Sequence, residues 1–339
     1  MRGLFTFCYS DEQMQKLEAL GIEITYLPEE SLTVGTSVAG YDFLVCFNPF
    51  DRLDFTDCQL KWIHLVSKGV GHVPRFLQED PDIVITNNVN GPSVPIGELI
   101  ICYILEIFKS SKLFYRQQEQ KLWKSNPDIL EITGKRICFL GTGLIAREAA
   151  ARLRPWNAIL IGLNTSGHEV PEFDNVMPIS DLKKVLPWAD VVISALPATP
   201  ETFHLLNAET LRLIPQGATL INISRGSVIE ENALCELLEE EHFRGVALDV
   251  FETEPLPTDS PLWSNDRVIV TPHNALYSDW YGQRVFDGIY ENAGRFLAGD
   301  ELCGVVDFKK GYYRGKCNEP CLHPPKALAG FRRMTAVAV

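Results

Sequence analysis

The sequence predicts an α/β protein built from two doubly wound, parallel-sheet domains. Three observations carry this. Short apolar segments alternate with helical ones through the first ninety residues. The alternation breaks at Asn90-Gly91-Pro92-Ser93-Val94-Pro95 and restarts at Arg136. The first restarted strand then runs into Gly141-Thr142-Gly143-Leu144-Ile145-Ala146, a glycine turn opening a helix.

Taken in order, 3–8, 22–26, 41–47, 60–66 and 83–86 read as strands, and 11–20 has helical spacing. Such alternation marks parallel βαβ units. At the break, Ser93 reads as an N-cap, with Pro95 in the first turn of a long apolar helix reaching about Ser110. A domain boundary belongs there, with the helix as bridge. Six further strands follow at 136–140, 159–163, 191–195, 219–223, 246–250 and 268–271. Helices fit 144–154, 181–186, 208–213 and 231–239 between them, as a dinucleotide-binding sheet requires. A last helix is expected over 278–298, and 303–308 reads as extended. The expected division is 1–93 with 299–311 as one domain, 94–298 as the nucleotide-binding domain, and 312–339 as a tail without an assigned role. No repeat of solenoid length is present.

Composition narrows the function classes. A formal charge of −13 over 339 residues argues against nucleic acid and anionic membranes, which need concentrated basic surface. A small anionic ligand remains compatible, because one arginine or a few backbone N–H groups overcome an acidic global field locally. The longest apolar run, Leu99 to Phe108, is interrupted by Glu106 and reads as a core helix. Asp11 and Glu12 arrive too early for a signal peptide, so the cytoplasm is the expected location. The nine cysteines, among them Cys46, Cys102 and Cys138, are scattered through apolar stretches and read as packed thiols. Cys317, Cys321 and His323 offer three ligands and no second pair, so no metal is expected.

The glycine motif has a physical logic. Gly141 permits the tight turn, Gly143 lets backbone approach a pyrophosphate, and Ala146 keeps the helix close to the sheet. At the end of the second strand of this half stands Asn164-Thr165-Ser166-Gly167-His168, where NAD-selective sites carry an acid for the ribose hydroxyls. A neutral amide followed by two hydroxyls removes the repulsion a 2′-phosphate would meet, and His168 adds a donor. That leans towards NADP(H). The same segment also reads as a polar turn that tolerates either cofactor. Three later strand ends carry Asn222-Ile223-Ser224-Arg225-Gly226, Asp249-Val250-Phe251-Glu252-Thr253-Glu254-Pro255 and Thr271-Pro272-His273-Asn274. An Arg, a carboxylate and a His at neighbouring strand ends suffice for carbonyl reduction. His273 transfers the proton, Glu254 favours its imidazolium, and Arg225 forks onto a substrate carboxylate.

On these segments, together with Leu196-Pro197-Ala198-Thr199-Pro200-Glu201-Thr202, the chain resembles the D-isomer-specific 2-hydroxyacid dehydrogenases over nearly all of residues 1 to 311. The resemblance implies oxidoreductase activity on a small D-2-hydroxy or 2-oxo acid with NAD(P)(H). It implies Arg225, Glu254 and His273 as the catalytic set. It also implies cofactor contacts at Gly141, Thr142, Gly143, Leu144, Ile145, Asn164, Thr165, Ser166, Leu196, Pro197, Thr202, Ile223, Ser224, Asp249 and His273, with Asp249 holding the nicotinamide carboxamide. Backbone at Lys68, Gly69 and Val70 would grip the substrate carboxylate alongside Arg225. The first domain would be flavodoxin-like and close over the cleft, the second a Rossmann domain, and two copies would form a homodimer through the nucleotide-binding domains.

Departures from the family pattern are Ala146 for the third glycine, Asn164 for the ribose acid, and the stretch after Gly311. Allosteric control by an appended amino-acid-binding module is not expected. An alternative on the same fold is an NAD(H)-sensing regulator resembling the C-terminal-binding corepressors, since fold does not settle function. Formate oxidation would place Gln at Glu254. Phe47-Asn48-Pro49-Phe50 and His72 are the candidate side-chain pocket. The phenylalanines suit an apolar or aromatic group, whereas Lys68 suits a phosphate.

Overall fold

A computed structural model describes residues 1–67, 69–89 and 91–308, together with the backbone of 312–314. The described residues divide into two compact units, one of residues 1–92 with 278–308 and 312–314, the other of residues 93–277.

In the first unit the chain forms β1 (Arg2–Phe5), α1 (Asp11–Glu18), β2 (Glu23–Tyr26), β3 (Thr36–Ser37), β4 (Phe43–Cys46), β5 (Leu53–Asp54), β6 (Trp62–Leu65), α2 (Arg75–Gln78) and β7 (Val84–Asn87). The main sheet runs β2-β1-β4-β6-β7, all parallel, with Gly3 opposite Phe43 and Phe43 opposite Trp62. β4 and β6 are buried at every position, as central parallel strands covered on both faces must be. Helix α1 begins with a reciprocal cap, in which Ser10 accepts from the Gln13 N–H and the Gln13 side chain accepts from the Ser10 N–H.

The second unit forms α3 (Ser93–Phe108), α4 (Ser111–Glu119), β8 (Arg136–Leu140), α5 (Leu144–Leu153), β9 (Ile159–Asn164), β10 (Asn175–Pro178), α6 (Leu182–Val185), β11 (Val191–Ser194), α7 (Ala208–Arg212), β12 (Thr219–Asn222), α8 (Glu231–Glu239), β13 (Gly245–Leu248) and β14 (Val268–Val270). Its seven parallel strands run β10-β9-β8-β11-β12-β13-β14. The order reverses between β8 and β11, so the loops leaving these two strands flank a crevice at the carboxyl edge. Alternation within each strand splits the core. Cys138, Leu140, Val192, Leu220 and Val246 pack on one face. Ile137, Phe139, Ile193 and Ile221 pack on the other with α3 and α5.

All six strands expected in this unit are present, and β10 is an unanticipated seventh. It is a four-residue edge strand, nowhere fully buried, and it ends in Pro178, so it lacks the apolar run that marks its neighbours. Ser93 is the first residue of α3 and not its cap. Cys46 and Cys138 are buried, and burial pushes the Cys138 thiol up to about 12. Cys102, grouped with them by its apolar flanks, is exposed on α3.

The chain then returns to the first unit as α9 (Tyr281–Ala298), β15 (Val305–Asp307) and β16 (Tyr312–Arg314). The sequence reading placed 278–298 with the nucleotide-binding domain. Instead, Val285, Phe286, Ile289 and Ala293 form one stripe of α9 that packs with Phe5, Phe43 and Trp62 of the first sheet. Helical spacing reveals the stripe but not which sheet it covers. β15 runs antiparallel to β7, and β16 antiparallel to β15, so 312–314 extends this sheet where a tail was expected. Cys317, Cys321 and His323 lie outside the described residues. Among the described residues no helix is long and apolar enough to cross a membrane, and no group of three potential ligands is placed to hold a metal.

Ile289 is fully buried. Ile289→Ala should therefore lower stability by roughly 2–5 kcal/mol, read from urea unfolding. An unchanged midpoint would contradict the seating of α9 on the first sheet.

Candidate functional site

Strand β12 delivers Arg225 through a turn built on the buried side chain of Asn222. Asn222 Oδ1 accepts from the Ser224 N–H at 3.1 Å and from Ser224 Oγ at 2.7 Å, while its Nδ2 donates to the Arg225 carbonyl at 3.1 Å. Ser224 Oγ also lies 2.8 Å from Ser194 Oγ at the end of β11. Gly226 follows because nothing larger fits: a Cβ there would sit 1.8 Å from the Phe251 carbonyl carbon. That contact presses the Arg225 turn against the loop leaving β13. The Arg225 guanidinium donates to the Ser224 carbonyl at 2.7 Å and stays solvent-accessible. Desolvation by the surrounding protein lowers its pKa, and Glu254 opposes that shift.

The β13 loop places Glu254 with both oxygens assigned. Oε1 accepts from the Phe251 N–H at 3.0 Å, and Oε2 lies 2.8 Å from His273 Nδ1. A carboxylate only accepts, so Nδ1 carries the proton and Nε2 is the ring nitrogen left for other chemistry. His273 has φ +48°, a left-handed backbone that costs a non-glycine residue about 1–2 kcal/mol. Asp249, almost fully buried, secures this conformation. Its carbonyl accepts from the His273 N–H at 2.9 Å. Its carboxylate accepts from the Asn274 N–H at 2.9 Å, the Ala275 N–H at 3.0 Å and Thr271 Oγ1 at 2.5 Å. Burial raises the Asp249 pKa; these three donors and the nearby His273 pull it back.

At the glycine turn, Gly141 has φ +97° and passes so close to β11 that a Cβ would lie 2.7 Å from the Ala195 carbonyl oxygen. Gly143 is the N-cap of α5 and provides no side-chain acceptor for the first-turn N–H groups. The space beside it is open, with no atom within 4 Å of a would-be Cβ. Uncapped N–H groups facing open space suit a pyrophosphate, so the turn fits a dinucleotide. Leu144 and Ile145 form the first turn of α5. Asn164 uses its whole amide within the protein. Nδ2 donates to Thr142 Oγ1 at 3.1 Å and to the His168 carbonyl at 3.0 Å, and Oδ1 accepts from Ser166 N–H at 3.2 Å and Gly167 N–H at 2.7 Å. It organises the turn, whereas Thr165, Ser166 and His168 are the exposed groups, with Ser166 Oγ 3.0 Å from His168 Nδ1. Thr202 is likewise engaged: Oγ1 donates to the Pro197 carbonyl at 2.7 Å and accepts from the Thr199 N–H at 2.9 Å, folding the loop that begins at Leu196.

Residues 101–275, just over half of the chain, match the family model described as D-isomer specific 2-hydroxyacid dehydrogenase, NAD binding domain. The chain belongs to the D-isomer specific 2-hydroxyacid dehydrogenases. Solved structures agree. A D-isomer specific 2-hydroxyacid dehydrogenase family protein from Aeromonas salmonicida is 29% identical, with a TM-score of 0.74 over 91% of this chain and 99% of that one. A D-isomer specific 2-hydroxyacid dehydrogenase from Xanthobacter autotrophicus, solved with NADPH and MES, is 26% identical, with a TM-score of 0.77 over 92% and 99%. The TT0316 protein from Thermus thermophilus is 26% identical, with a TM-score of 0.72 over 91% and 100%.

For this member of the dehydrogenase family, the first unit holds the remaining expected positions. Lys68 lies outside the described residues. The Gly69 carbonyl accepts from Ser67 Oγ at 2.8 Å, and Val70 packs against the core of that unit. Phe47 and Phe50 do not form a free aromatic wall. Their rings stack on His72, with centroids 5.7 and 6.1 Å away. Burial lowers the His72 pKa, against the Phe47 carbonyl and Glu29. A cavity of about 550 Å³ beside them is lined by Glu29, Asn48, Phe50, Arg52 and His72 among others. Glu29 carried no sequence signal, yet it shapes this region by accepting from the Phe47 N–H at 2.6 Å and Thr6 Oγ1 at 2.7 Å. Asn222 likewise shows in the sequence only as part of a motif. An Asn two residues before a Ser at a strand end is the cue for such a turn.

Proposed function

We propose that this chain is an NAD(P)-dependent oxidoreductase that interconverts a small 2-oxo acid and its D-2-hydroxy acid. The observation that carries the reading is the His273–Glu254 pair, 2.8 Å apart, with the second Glu254 oxygen fixed by the Phe251 N–H. A dinucleotide held at the Gly141–Gly143 turn and the N-terminus of α5 would supply the hydride to the carbonyl carbon, or accept it in the reverse direction. His273 Nε2, directed by the carboxylate at Nδ1, gives a proton to the carbonyl oxygen during reduction and takes it back during oxidation. Glu254 orients the ring and fixes its tautomer. Arg225 presents a planar fork that holds the substrate carboxylate and polarises the adjacent carbonyl. In His273→Ala, reduction of a 2-oxo acid should fall by roughly 100-fold or more, while dinucleotide binding followed by fluorescence stays within about twofold. A wild-type rate in that variant would remove His273 from the mechanism.

The cofactor preference of this reading is NADP(H). The turn after β9 offers the Ser166 hydroxyl and His168 at its surface and no carboxylate at position 164. The Xanthobacter autotrophicus relative was solved with NADPH. Ser166→Asp places a carboxylate in the turn without touching the Asn164 amide that folds it. It should weaken NADPH binding by roughly tenfold or more, about 1.4 kcal/mol, and leave NADH binding nearly unchanged. Equal effects on both cofactors would show that this turn does not read the ribose.

The active form in this reading is a homodimer formed through the nucleotide-binding unit. Leu113, Tyr115, Leu122, Trp123 and Ile129 are all exposed within one short stretch of that unit, and Trp123 is fully so. Apolar side chains clustered in this way mark an association surface. Sedimentation should give twice the chain mass, and a monomer at micromolar concentration would contradict the assignment.

A further inference from the structure

One buried connection to the site is not used by the mechanism above. Thr271 Oγ1, which donates to Asp249 Oδ1 at 2.5 Å, also makes a close hydrogen bond with the phenol of Tyr103. Tyr103 lies in α3 and is 1% exposed. The direction of the chain follows from proton count. Thr271 has a single hydroxyl proton, and the Asp249 carboxylate only accepts, so Tyr103 must be the donor to Thr271. Burial raises the Tyr103 pKa, which keeps it a phenol and a donor. The hydrogen bonds therefore run one way, from Tyr103 to Thr271 to Asp249.

The surroundings of Tyr103 show that its hydroxyl is not there for packing. Ile96, Ile100, Ile104, Ile107 and Phe108 of α3 share an apolar cluster with Tyr103. A buried hydroxyl costs stability unless bonded, and an apolar side chain would fill this place without that cost. At the other end of the chain, β14 stops at Val270, and Pro272 has no N–H to donate. The segment carrying His273 is held instead by Asp249, through its carbonyl to the His273 N–H and its carboxylate to the N–H groups of Asn274 and Ala275.

We propose that Tyr103 and Thr271 are positioning residues for the His273 loop: their two hydroxyls anchor the Asp249 carboxylate to α3, and that carboxylate holds His273 in its left-handed backbone conformation. The proposal rests on the reading of His273 as the acid–base group. It also has a pH consequence. The charged or titratable groups facing Asp249 are His273 from the β14 loop and Tyr103 from α3, and Tyr103 in turn faces Cys102 and Glu106 of its own helix. The Thr271 hydrogen bond favours ionised Asp249. Without that donor the carboxylate takes up a proton at higher pH, and protonation weakens its grip on the two N–H groups.

The test uses the full chain as Thr271→Val, Thr271→Ser and Tyr103→Phe. Amide hydrogen exchange at Asn274 and Ala275 should quicken by roughly threefold to tenfold in Thr271→Val, the loss of about one net hydrogen bond. It should quicken less in Tyr103→Phe and return to wild type in Thr271→Ser, with α5 unchanged throughout. The acidic limb of the kcat profile should move to higher pH in the same order. Wild-type exchange and an unmoved acidic limb would overturn the proposal. So would loosening spread evenly over the second unit with no movement of the limb. The exchange experiment needs no turnover. If the wild-type chain reduces no 2-oxo acid, the functional reading fails by itself, and exchange at Asn274 and Ala275 still decides whether the two hydroxyls position the loop.

Discussion

A buried carboxylate that accepts three hydrogen bonds is the constraint on which the site depends. Asp249 sits at the end of β13 and fixes the chain leaving β14, so two neighbouring strand ends behave as one rigid piece. Desolvation works against its charge, and the donors around it offset that cost. The same bonds keep His273 in a backbone conformation it would not adopt alone. Its ring can then meet Glu254 at 2.8 Å with little freedom left to lose. Preorganisation of this kind would serve the proposed proton transfer at His273.

Backbone contacts that exclude side chains assemble the rest of the site. Gly226 lets the Arg225 turn touch the backbone at Phe251, and Gly141 lets the dinucleotide turn touch β11 at Ala195. Each contact joins loops from adjacent strands at the carboxyl edge of the sheet, and the Gly141 contact lies at the β8–β11 step where the strand order reverses. The proposed catalytic residues and the nucleotide turn thus share one edge of one sheet. The overall acidity of the chain does not oppose anion binding here, because the proposed contacts, Arg225 and the first-turn N–H groups of α5, would act at hydrogen-bond range.

Much of this was legible in the residues, for reasons that also explain what was not. Central parallel strands buried on both faces are continuous apolar runs, so β8, β11, β12 and β13 stood out; β9 and the edge strand β14 show apolar runs as well, while β10, with Asn175 and Pro178 at its ends, does not. Arg225, Glu254 and His273 were visible because each follows a strand end within a compact motif. The contact of Glu254 with His273 was expected, but the role of Asp249 in folding the His273 loop was not. Its donors come from Thr271, Asn274 and Ala275, and backbone N–H groups leave no trace in side-chain identity. Asn164 illustrates the same limit: its residue type suggested a ribose reader, whereas its bonds to Thr142, Ser166, Gly167 and His168 make it the frame of the turn. Helix α9 has an unmistakable apolar stripe, yet its partner sheet is set by tertiary packing that periodicity cannot encode.

The central claim is hydride transfer between a nicotinamide dinucleotide and a small 2-oxo acid. The most direct measurement is the near-ultraviolet absorbance of reduced cofactor mixed with the purified chain and, in turn, pyruvate, glyoxylate, hydroxypyruvate, phenylpyruvate and branched-chain 2-oxo acids. NADPH and NADH are run separately. The account predicts catalytic loss of absorbance with at least one acid, faster with NADPH, and a D-2-hydroxy acid as product. Undiminished absorbance with every acid, in a protein that binds the dinucleotide, would contradict it and point to a nucleotide-sensing role for the same fold.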